Sequence, residues 1–294
     1  MAKLPAGPPL LPPRADWAPL LDRALAEDIG TGDVTSAAIF GPDAVAAAVL
    51  ETREPAVVCG LEIAAAAFEA VEPAIRFRAA CADGDSVPAG FDLARVEGPT
   101  RGLLAAERTA LNFLSRLCGV ATWTRRFVDA VAGTGTEIVD TRKTLPGWRV
   151  LDKYAVACGG GRNHRFGLYD AVMIKDNHVS AAGGIAAAVR AAKEAAPPGI
   201  EIHVEAESLA DARVAADAGA DLLMLDNRTP AELREIVAAL GDSVRLEATG
   251  GVTLGNVREV AATGVARISI GALTHSAPAV DLALEVRPTP QGNA

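Results

Sequence analysis

Residues 200–226 read IEIHVEAESLADARVAADAGADLLMLD and contain one complete unit of the predicted fold. Apolar and polar residues alternate over 200–205, apolar residues dominate 221–225, and an alanine-rich stretch, 208–218, lies between them. A strand, a helix and a second strand in such close succession are typical of a parallel α/β fold.

The same alternation continues on both sides of this unit from about residue 136 onward. It predicts strands at 137–140, 171–175, 200–205, 221–225, 245–248 and 267–270. Alanine-rich helices are predicted between them near 180–196, 208–218, 230–239 and 254–262. A repeated strand-helix pattern fits either a closed barrel or an open, doubly wound sheet.

The first 110 residues have a different pattern of predicted helices and strands. Helices near 17–26 and 61–71, with a strand near 45–51, indicate a mixed α+β region. A long helix follows from about 101 to 132. Its 3.6-residue period places one apolar stripe on a face and a second, more polar row on the flank. The stripe is Leu104, Leu111, Leu114 and Cys118, and the flank is Arg108, Asn112, Ser115 and Gly119.

Composition restricts the class of protein. The chain has 294 residues, is half hydrophobic and carries a net charge of −9, which argues against nucleic acid or an anionic membrane as its main partner. Its four cysteines lack metal-binding spacing and are expected to be free thiols in a reducing cytoplasm. No apolar run is long enough to span a bilayer, and the proline-rich start lacks the apolar core of a signal peptide. The composition indicates a cytoplasmic protein that acts on small molecules.

Polar residues or glycines follow each predicted strand. In a parallel α/β barrel the active site lies at the carboxyl ends of the strands, so these residues are expected to share one face. Strand ends that meet solvent are often polar in any case, but most residues before these ends are apolar, which favours a site. The terminal groups are Arg142-Lys143, Lys175 to His178, Glu205, Asp226-Asn227, Thr249 to Gly251, and Gly271-Ala272.

Two features of this face point to specific ligands. Gly250, Gly251 and Gly271 follow the last two strands, where glycine allows the backbone to approach a phosphate, although a plain turn would also explain them. Glu205 and Asp226 lie on adjacent strands and suit Mg²⁺, ribose hydroxyls or a developing positive charge. They could also be a structural pair that balances nearby lysines and arginines.

Positive charge is concentrated in residues 142–178. This segment holds seven basic and three acidic residues, so its net charge is +4 and the remainder carries −13. Such a set predicts a pocket for a ligand with several negative charges. Within it, His164 is a better functional candidate than His203, which is expected to be a hydrogen-bonded core residue. The basic residues are Arg142, Lys143, Arg149, Lys153, Arg162, Arg165 and Lys175.

Three nearby stretches carry a family resemblance: DTRKTLPGWR at 140–149, KYAVACGGGRNHR at 153–165 and IKDNH at 174–178. Together they resemble the quinolinate phosphoribosyltransferases, also called nicotinate-nucleotide pyrophosphorylases (carboxylating). The resemblance spans about residues 17–286. Further matches are EDIGTGDVT at 27–35, ERTALN at 107–112, MLDN at 224–227 and LEATGG at 246–251.

The resemblance implies a type II phosphoribosyltransferase. Its fold is α/β: an incomplete (β/α) barrel with an N-terminal α/β sandwich domain. The expected parts are a flexible arm at 1–15, a sandwich of 16–111 with 277–294, and a barrel of 112–276. The implied reaction converts quinolinate and 5-phosphoribosyl 1-diphosphate into nicotinate mononucleotide, carbon dioxide and diphosphate, in NAD biosynthesis. A ModD-like paralogue of the same fold, acting on another substrate, is the alternative.

Residue roles follow from the same resemblance. Lys143, Lys175, Glu205 and Asp226 are expected to be catalytic, and the two carboxylates to bind Mg²⁺ with the diphosphate substrate. No organic cofactor is expected. The implied assembly is a homodimer or higher oligomer, in which Arg108 reaches the neighbouring site. The other expected substrate contacts are Thr141, Arg142, His164, Arg165, Thr249, Gly250, Gly251, Gly271 and Ala272.

Two positions depart from the family pattern. Thr249 stands where serine is common, and the hydroxyl that could bind phosphate is kept. His203 stands where a glutamate is expected in an alternating pattern, which alters the charge beside Glu205.

Overall fold

A computed structural model of the chain describes residues 9–287. The helices are α1 (Arg14–Ile29), α2 (Val34–Ile39), α3 (Leu61–Val71), α4 (Thr100–Ala130), α5 (Arg149–Cys158), α6 (Asp176–Ala182), α7 (Ile185–Ala195), α8 (Leu209–Ala218), α9 (Pro230–Leu240), α10 (Val257–Ala261) and α11 (Ala272–His275). The strands are β1 (Val45–Thr52), β2 (Ala56–Val57), β3 (Arg76–Ala79), β4 (Ser86–Val87), β5 (Phe91–Pro99), β6 (Glu137–Val139), β7 (Val172–Ile174), β8 (Ile202–Ala206), β9 (Leu222–Asp226), β10 (Arg245–Thr249), β11 (Arg267–Ser269) and β12 (Leu282–Arg287).

The described residues form two compact units. The first, the sandwich unit, comprises 9–125, 145–160 and 277–287, and the second, the barrel unit, comprises 126–144 and 161–276. The chain therefore passes between the units more than once. The domain ranges expected from the sequence remain a prediction. Within the predicted arm, residues 1–8 lie outside the described part, and α1 begins at Arg14. The final residues after 287 also lie outside it.

The sandwich unit is built on an antiparallel sheet with the strand order β12-β1-β5-β3. The last strand of the described chain thus pairs with the first, from Ala47 opposite Arg287 to Thr52 opposite Leu282. Helix α3 buries Ile63 and Phe68 completely, and Trp17 of α1 is also buried. These side chains form the apolar layer that an antiparallel sheet with one solvated face requires.

The barrel unit contains a parallel sheet with the order β6-β11-β10-β9-β8-β7. Strands β7 to β11 are neighbours in chain order, and β6 closes onto β11. This circular order, interrupted once, is an incomplete (β/α) barrel and resolves the choice between a barrel and a doubly wound sheet. The central strands β8 and β9 are almost entirely buried, as parallel strands covered by helices should be.

The interruption lies between β6 and β7, and we call it the seam. Among the described strands, no ladder joins these two. On the barrel side of the gap, Arg162 forms a parallel bridge with Val139. Its backbone N–H donates to the carbonyl of Ile138 at 2.8 Å, and the N–H of Asp140 donates to the Arg162 carbonyl at 3.1 Å. The residues that follow Arg162 are therefore held along the free edge of β6.

Most predicted elements are confirmed, but some were wrong in extent and others, among them β5 and β12, were not predicted. The predicted helix 180–196 is two helices, because Gly183 and Gly184 adopt positive φ between them. Helix α2 was not predicted either; it starts at Val34, and the Asp33 carboxylate caps its first N–H groups. Helix α5 was not predicted.

All four cysteines are free thiols, and three of them are buried. No helix among residues 9–287 has the length and apolar character needed to cross a membrane.

Gly119 shows how tightly α4 is packed. A Cβ at this position would overlap the carbonyl oxygen of Pro278 and lie about 3.1 Å from the Cα of Ala279. The flank of α4 predicted from the sequence is therefore divided: Gly119 is buried, whereas Arg108 and Asn112 are exposed. Glycine is required at this point because two backbones meet there.

We expect Gly119→Ala to lower the free energy of unfolding by about 1–3 kcal/mol, because the added methyl group overpacks a backbone contact. Urea denaturation would measure the change. Gly41→Ala is the matched control, since an added Cβ there meets nothing within 4 Å and Gly41 lacks a positive φ. A Gly119→Ala variant as stable as Gly41→Ala would contradict the assigned packing.

Candidate active site

One cavity of about 540 Å³ lies within the barrel unit. Every substrate contact expected from the sequence lines it, with the exception of Arg108. The lining includes Thr141, Arg142, Lys143, His164, Arg165, Lys175, Glu205, Asp226, Thr249, Gly250, Gly251, Gly271 and Ala272. The carboxyl ends of parallel strands meet at one face, so residues far apart in sequence converge there.

Asp140 organises one wall of the cavity. Its carboxylate is fully buried at the end of β6. One oxygen accepts the backbone N–H of His164 at 2.8 Å, and the other accepts the side-chain amide of Asn163 at 2.7 Å. These bonds fix the segment beyond Arg162 beside the Thr141–Lys143 strand end, so both segments contribute to the same wall.

The cavity cations are held by backbone and side-chain contacts. The Arg165 guanidinium donates to the Ala171 carbonyl at 3.1 Å and approaches the Met173 sulfur at 3.3 Å. Burial lowers the pKa of Arg165, and the nearby positive charge of Arg142 lowers it further, while Asp170 opposes both effects. Two guanidinium groups that repel each other in one pocket create a site for a ligand with more than one negative charge.

Lys143 is anchored through its backbone, which leaves its side chain to line the cavity. Its N–H donates to Thr141 Oγ1 at 3.0 Å, and its carbonyl accepts the hydroxyl of Thr274 at 2.8 Å. The turn after β6 is therefore fixed, and the lysine occupies a defined position above it.

The two predicted catalytic carboxylates have different partners. Glu205 Oε2 lies 2.9 Å from Lys175 Nζ, so β7 and β8 are joined by an ion pair at the cavity. Asp226 Oδ2 accepts the side-chain amide of Asn227 at 2.9 Å. Among the described non-glycine residues only Asn227 has a positive φ, 52°. Its strained turn places the amide beside Asp226, a local support that sequence reasoning missed.

Glycines form another part of the cavity wall. Gly250 and Gly251 both have positive φ, +84° and +62°, and follow the end of β10. A Cβ on Gly250 would overlap the side chain of Asn227 and come within about 2.7 Å of Asp226 Oδ1. Gly271 similarly leaves room for the Lys143 side chain. The turn thus exposes backbone to the cavity, as an anion site requires.

Three of the seven basic residues predicted for one pocket do not line it. Arg149 and Lys153 lie on α5 in the sandwich unit, where Lys153 is fully buried. Arg162 forms an ion pair with Glu137 at 3.3 Å. The prediction from residues 142–178 therefore overestimated the positive charge of the cavity, because two of the basic residues lie on α5 and Arg162 is paired with Glu137.

His203 is buried and hydrogen-bonded, as expected. Its Nε2 lies 2.9 Å from Glu201 Oε2, and its ring packs edge-on against His164 with centroids 5.2 Å apart. Burial lowers the pKa of His203, while its hydrogen bond to Glu201 acts in the opposite direction. The departure from the family pattern therefore places a histidine, rather than a second carboxylate, behind the cavity wall.

Arg108 lies on α4 in the sandwich unit and is exposed; its Nη2 lies 3.9 Å from Glu107. Its expected role in a neighbouring site remains a prediction. Some lining residues were not predicted, among them Met173, Met224 and Ser269. Met173 and Met224 belong to apolar strands, where sequence reasoning assigns core positions, so nothing in their pattern marked them.

Two family models match the chain: quinolinate phosphoribosyl transferase, N-terminal domain, over residues 33–118, and its C-terminal domain over residues 120–285. The chain is 42% identical over 267 residues to a Bacillus subtilis protein named "Probable nicotinate-nucleotide pyrophosphorylase [carboxylating]", with 91% of this chain and 92% of that protein aligned. It is also 42% identical to the nicotinate-nucleotide pyrophosphorylase (carboxylating) of Mycobacterium leprae, covering 90% and 95%. The structure of the nicotinate-nucleotide pyrophosphorylase from Francisella tularensis superposes with a TM-score of 0.90 at 38% identity, covering 94% and 98%.

The glycine turn yields a test of the carboxylate geometry. We expect Gly251→Ala to cost about 1–2 kcal/mol of stability, because alanine tolerates a left-handed backbone poorly. Gly250→Ala should cost at least about 1 kcal/mol more, since its methyl group also displaces Asn227 and Asp226. Urea denaturation of both variants gives the difference. Equal losses of stability in the two variants would mean that Gly250 is not packed closely against Asn227 and Asp226.

Proposed function

The chain belongs to the quinolinate phosphoribosyltransferase family, and we infer that it is the enzyme that makes nicotinate mononucleotide for NAD biosynthesis. The substrates are quinolinate and 5-phosphoribosyl 1-diphosphate, and the other products are carbon dioxide and diphosphate. The reaction class is pentosyl transfer.

One observation carries this assignment beyond the family. A single cavity combines four cations, two carboxylates and a glycine turn. The first substrate is a dicarboxylate and the second bears a phosphate and a diphosphate, so each needs positive or N–H-rich surroundings. The cations are Arg142, Lys143, Arg165 and Lys175.

Quinolinate would be held on the side of the seam. Arg142 lies close enough to Arg165 to disfavour the positive charge of Arg165, and a dicarboxylate bound between them would relieve that repulsion. Guanidinium groups also suit carboxylates because they can form two parallel hydrogen bonds. Lys175 and His164 would complete the acceptor pocket.

The phosphoribosyl donor would lie on the other side. Thr249, Gly250 and Gly251, with Gly271 and Ala272, would bind the 5-phosphate through hydroxyl and backbone N–H groups. Lys143 would face the diphosphate, the charge of which increases as it leaves. Glu205 and Asp226 would face the ribose.

The chemistry follows from these positions. The ring nitrogen of quinolinate forms a bond to ribose C1 while the bond from C1 to the diphosphate oxygen breaks, and diphosphate leaves with the electron pair. Positive charge develops on the ribose, where Glu205 and Asp226 stabilise it electrostatically. The alkylated ring nitrogen is then cationic and can stabilise the electron pair left on the adjacent ring carbon when carbon dioxide departs. A proton replaces the carboxylate on that carbon, so no organic cofactor is required.

The proposal includes Mg²⁺, bound together with the diphosphate substrate. Mg²⁺ is usually bound through one or two carboxylates together with substrate phosphates. Glu205 and Asp226 match that donor set in number and type, and both line the cavity. When bound, the ion would neutralise charge on the diphosphate and favour its departure.

The proposal includes a homodimer or higher oligomer in the cytoplasm. An exposed arginine on α4, Arg108, is available for a neighbouring site. The four free thiols suit a reducing compartment.

A direct assay tests the function. The protein is incubated with 5-phosphoribosyl 1-diphosphate, Mg²⁺ and either quinolinate or nicotinate, and carbon dioxide and the mononucleotide are measured. We expect turnover with quinolinate alone. A Lys175→Ala variant purified in parallel should lose activity by about 100-fold or more, which excludes a contaminating host enzyme. Turnover of nicotinate alone, or of neither acid, would overturn the proposal.

Shared sites have a separate test. A tagged Arg108→Ala chain is co-expressed with a differently tagged Lys175→Ala chain, and the mixed assembly is purified through both tags. In a dimer with shared sites, one site regains both residues, so about half of the wild-type activity should return. Each parent homodimer should remain impaired. Mixed assemblies no more active than the parents would exclude sharing through Arg108.

A further inference from the structure

Glu247 is a buried carboxylate that the proposed chemistry does not use. It lies in the middle of β10 between Leu246 and Ala248, and its side chain is fully buried. It is not among the residues that line the cavity. A charge placed inside an apolar strand is costly unless it is paired, so its partners should explain its presence.

One partner is Arg267 on the neighbouring strand β11. The Arg267 Nε donates to Glu247 Oε2. Burial raises the pKa of Glu247, and the guanidinium of Arg267 opposes that rise. This ion pair holds the carboxylate in place but occupies only one of its two oxygens.

The other oxygen faces the cavity wall. Glu247 Oε1 lies 3.6 Å from His164 Nε2, and the side chains of both residues are almost completely buried. Within residues 9–287, this oxygen has no hydrogen-bond partner at normal distance. Among residues 9–287, this oxygen thus makes an ion-pair contact with the imidazole of a residue that lines the cavity, and Ser269, another lining residue, interacts with the same carboxylate and lowers its pKa.

The opposite nitrogen of the same ring connects to Arg165. The backbone N–H of Arg165 donates to His164 Nδ1 at 2.7 Å. A nitrogen that accepts a hydrogen bond carries no proton, so the proton of the neutral ring lies on Nε2, facing Glu247. The contacts thus run in series from Arg267 through Glu247 and His164 to the backbone of Arg165.

We infer that Glu247 is a positioning residue: it fixes the orientation and tautomer of His164 and thereby the placement of Arg165 in the acceptor side of the cavity. The proposed function supplies the substrate for this inference. Buried partners that orient metal-binding histidines commonly change affinity or activity by about 10- to 100-fold when removed, and we expect an effect of similar size for a histidine beside a substrate pocket.

The test uses the intact protein and its four histidines. In protein labelled with ¹⁵N-histidine, with His164 assigned through a His164→Gln variant, the wild-type ring should show the Nε2-protonated tautomer. Glu247→Gln should shift this ring toward tautomer exchange. It should also raise the KM for quinolinate about tenfold, at the lower end of the range for such partners. The KM for 5-phosphoribosyl 1-diphosphate should stay within about twofold, because the glycine turn is not part of the series.

Two further variants separate positioning from stability. Glu247→Gln combined with Arg267→Gln removes both buried charges and should recover stability relative to Glu247→Gln, but not the quinolinate KM. Glu247→Asp keeps a carboxylate and should restore part of that KM. Glu201→Gln is the matched control, because it removes the carboxylate beside the other buried histidine, His203, and should leave both KM values unchanged.

The outcomes are distinct. An unchanged His164 tautomer in Glu247→Gln, an equal rise in both KM values, or full recovery in the double variant would overturn the positioning role. A wild-type protein that turns over neither acid would refute the proposed function instead. The tautomer measurement would then still decide whether Glu247 controls His164.

Discussion

The acceptor side of the cavity depends on a single buried carboxylate. Asp140 directly follows β6, the strand beside the seam, and accepts hydrogen bonds from the backbone of His164 and the side chain of Asn163. Residues 145–160, between Asp140 and Asn163, belong to the sandwich unit. Asp140 therefore connects two parts of the barrel unit that these sixteen residues separate in sequence. The cavity wall can therefore be rigid although its two halves are not continuous in sequence.

The strand order sorts the chemistry of the cavity. The strands that border the seam are β6 and β7. Arg142 and Lys143 follow β6, Lys175 follows β7, and Arg165 lies in the segment after Arg162 along the free edge of β6. The central strands β8 and β9 end in carboxylates, and β10 and β11 end in the glycine-rich turns. In the sheet order the glycine-rich ends of β11 and β10 thus lie between the cations that follow β6 and the carboxylates of β9 and β8, and Lys175 lies beyond the carboxylates. A net charge of −9 conceals this arrangement because it averages over the whole surface.

The sequence allowed the parallel fold and most lining residues to be predicted, because strands such as 200–205 and 221–225 are short, regularly spaced and separated by alanine-rich helices. It did not reveal α5, since the basic and aromatic residues of 149–158 resembled ligand contacts rather than a helix. Nor did it distinguish a cavity charge from a buried one, and Lys153 was misplaced for that reason. Glu247 was missed because its role depends on a neighbour on β11 and a ring on the seam, which no local pattern encodes. A charged residue within an apolar strand was the available signal.

The pairing of β12 with β1 has a consequence for the order of folding. These strands are separated by about 230 positions along the chain, yet they are neighbouring strands of one sheet. Contacts of such high sequence separation carry a large loop-closure entropy and slow folding. During synthesis β1 therefore keeps an unpaired edge until β12 has emerged from the ribosome, and an unpaired strand edge is prone to pairing with other chains.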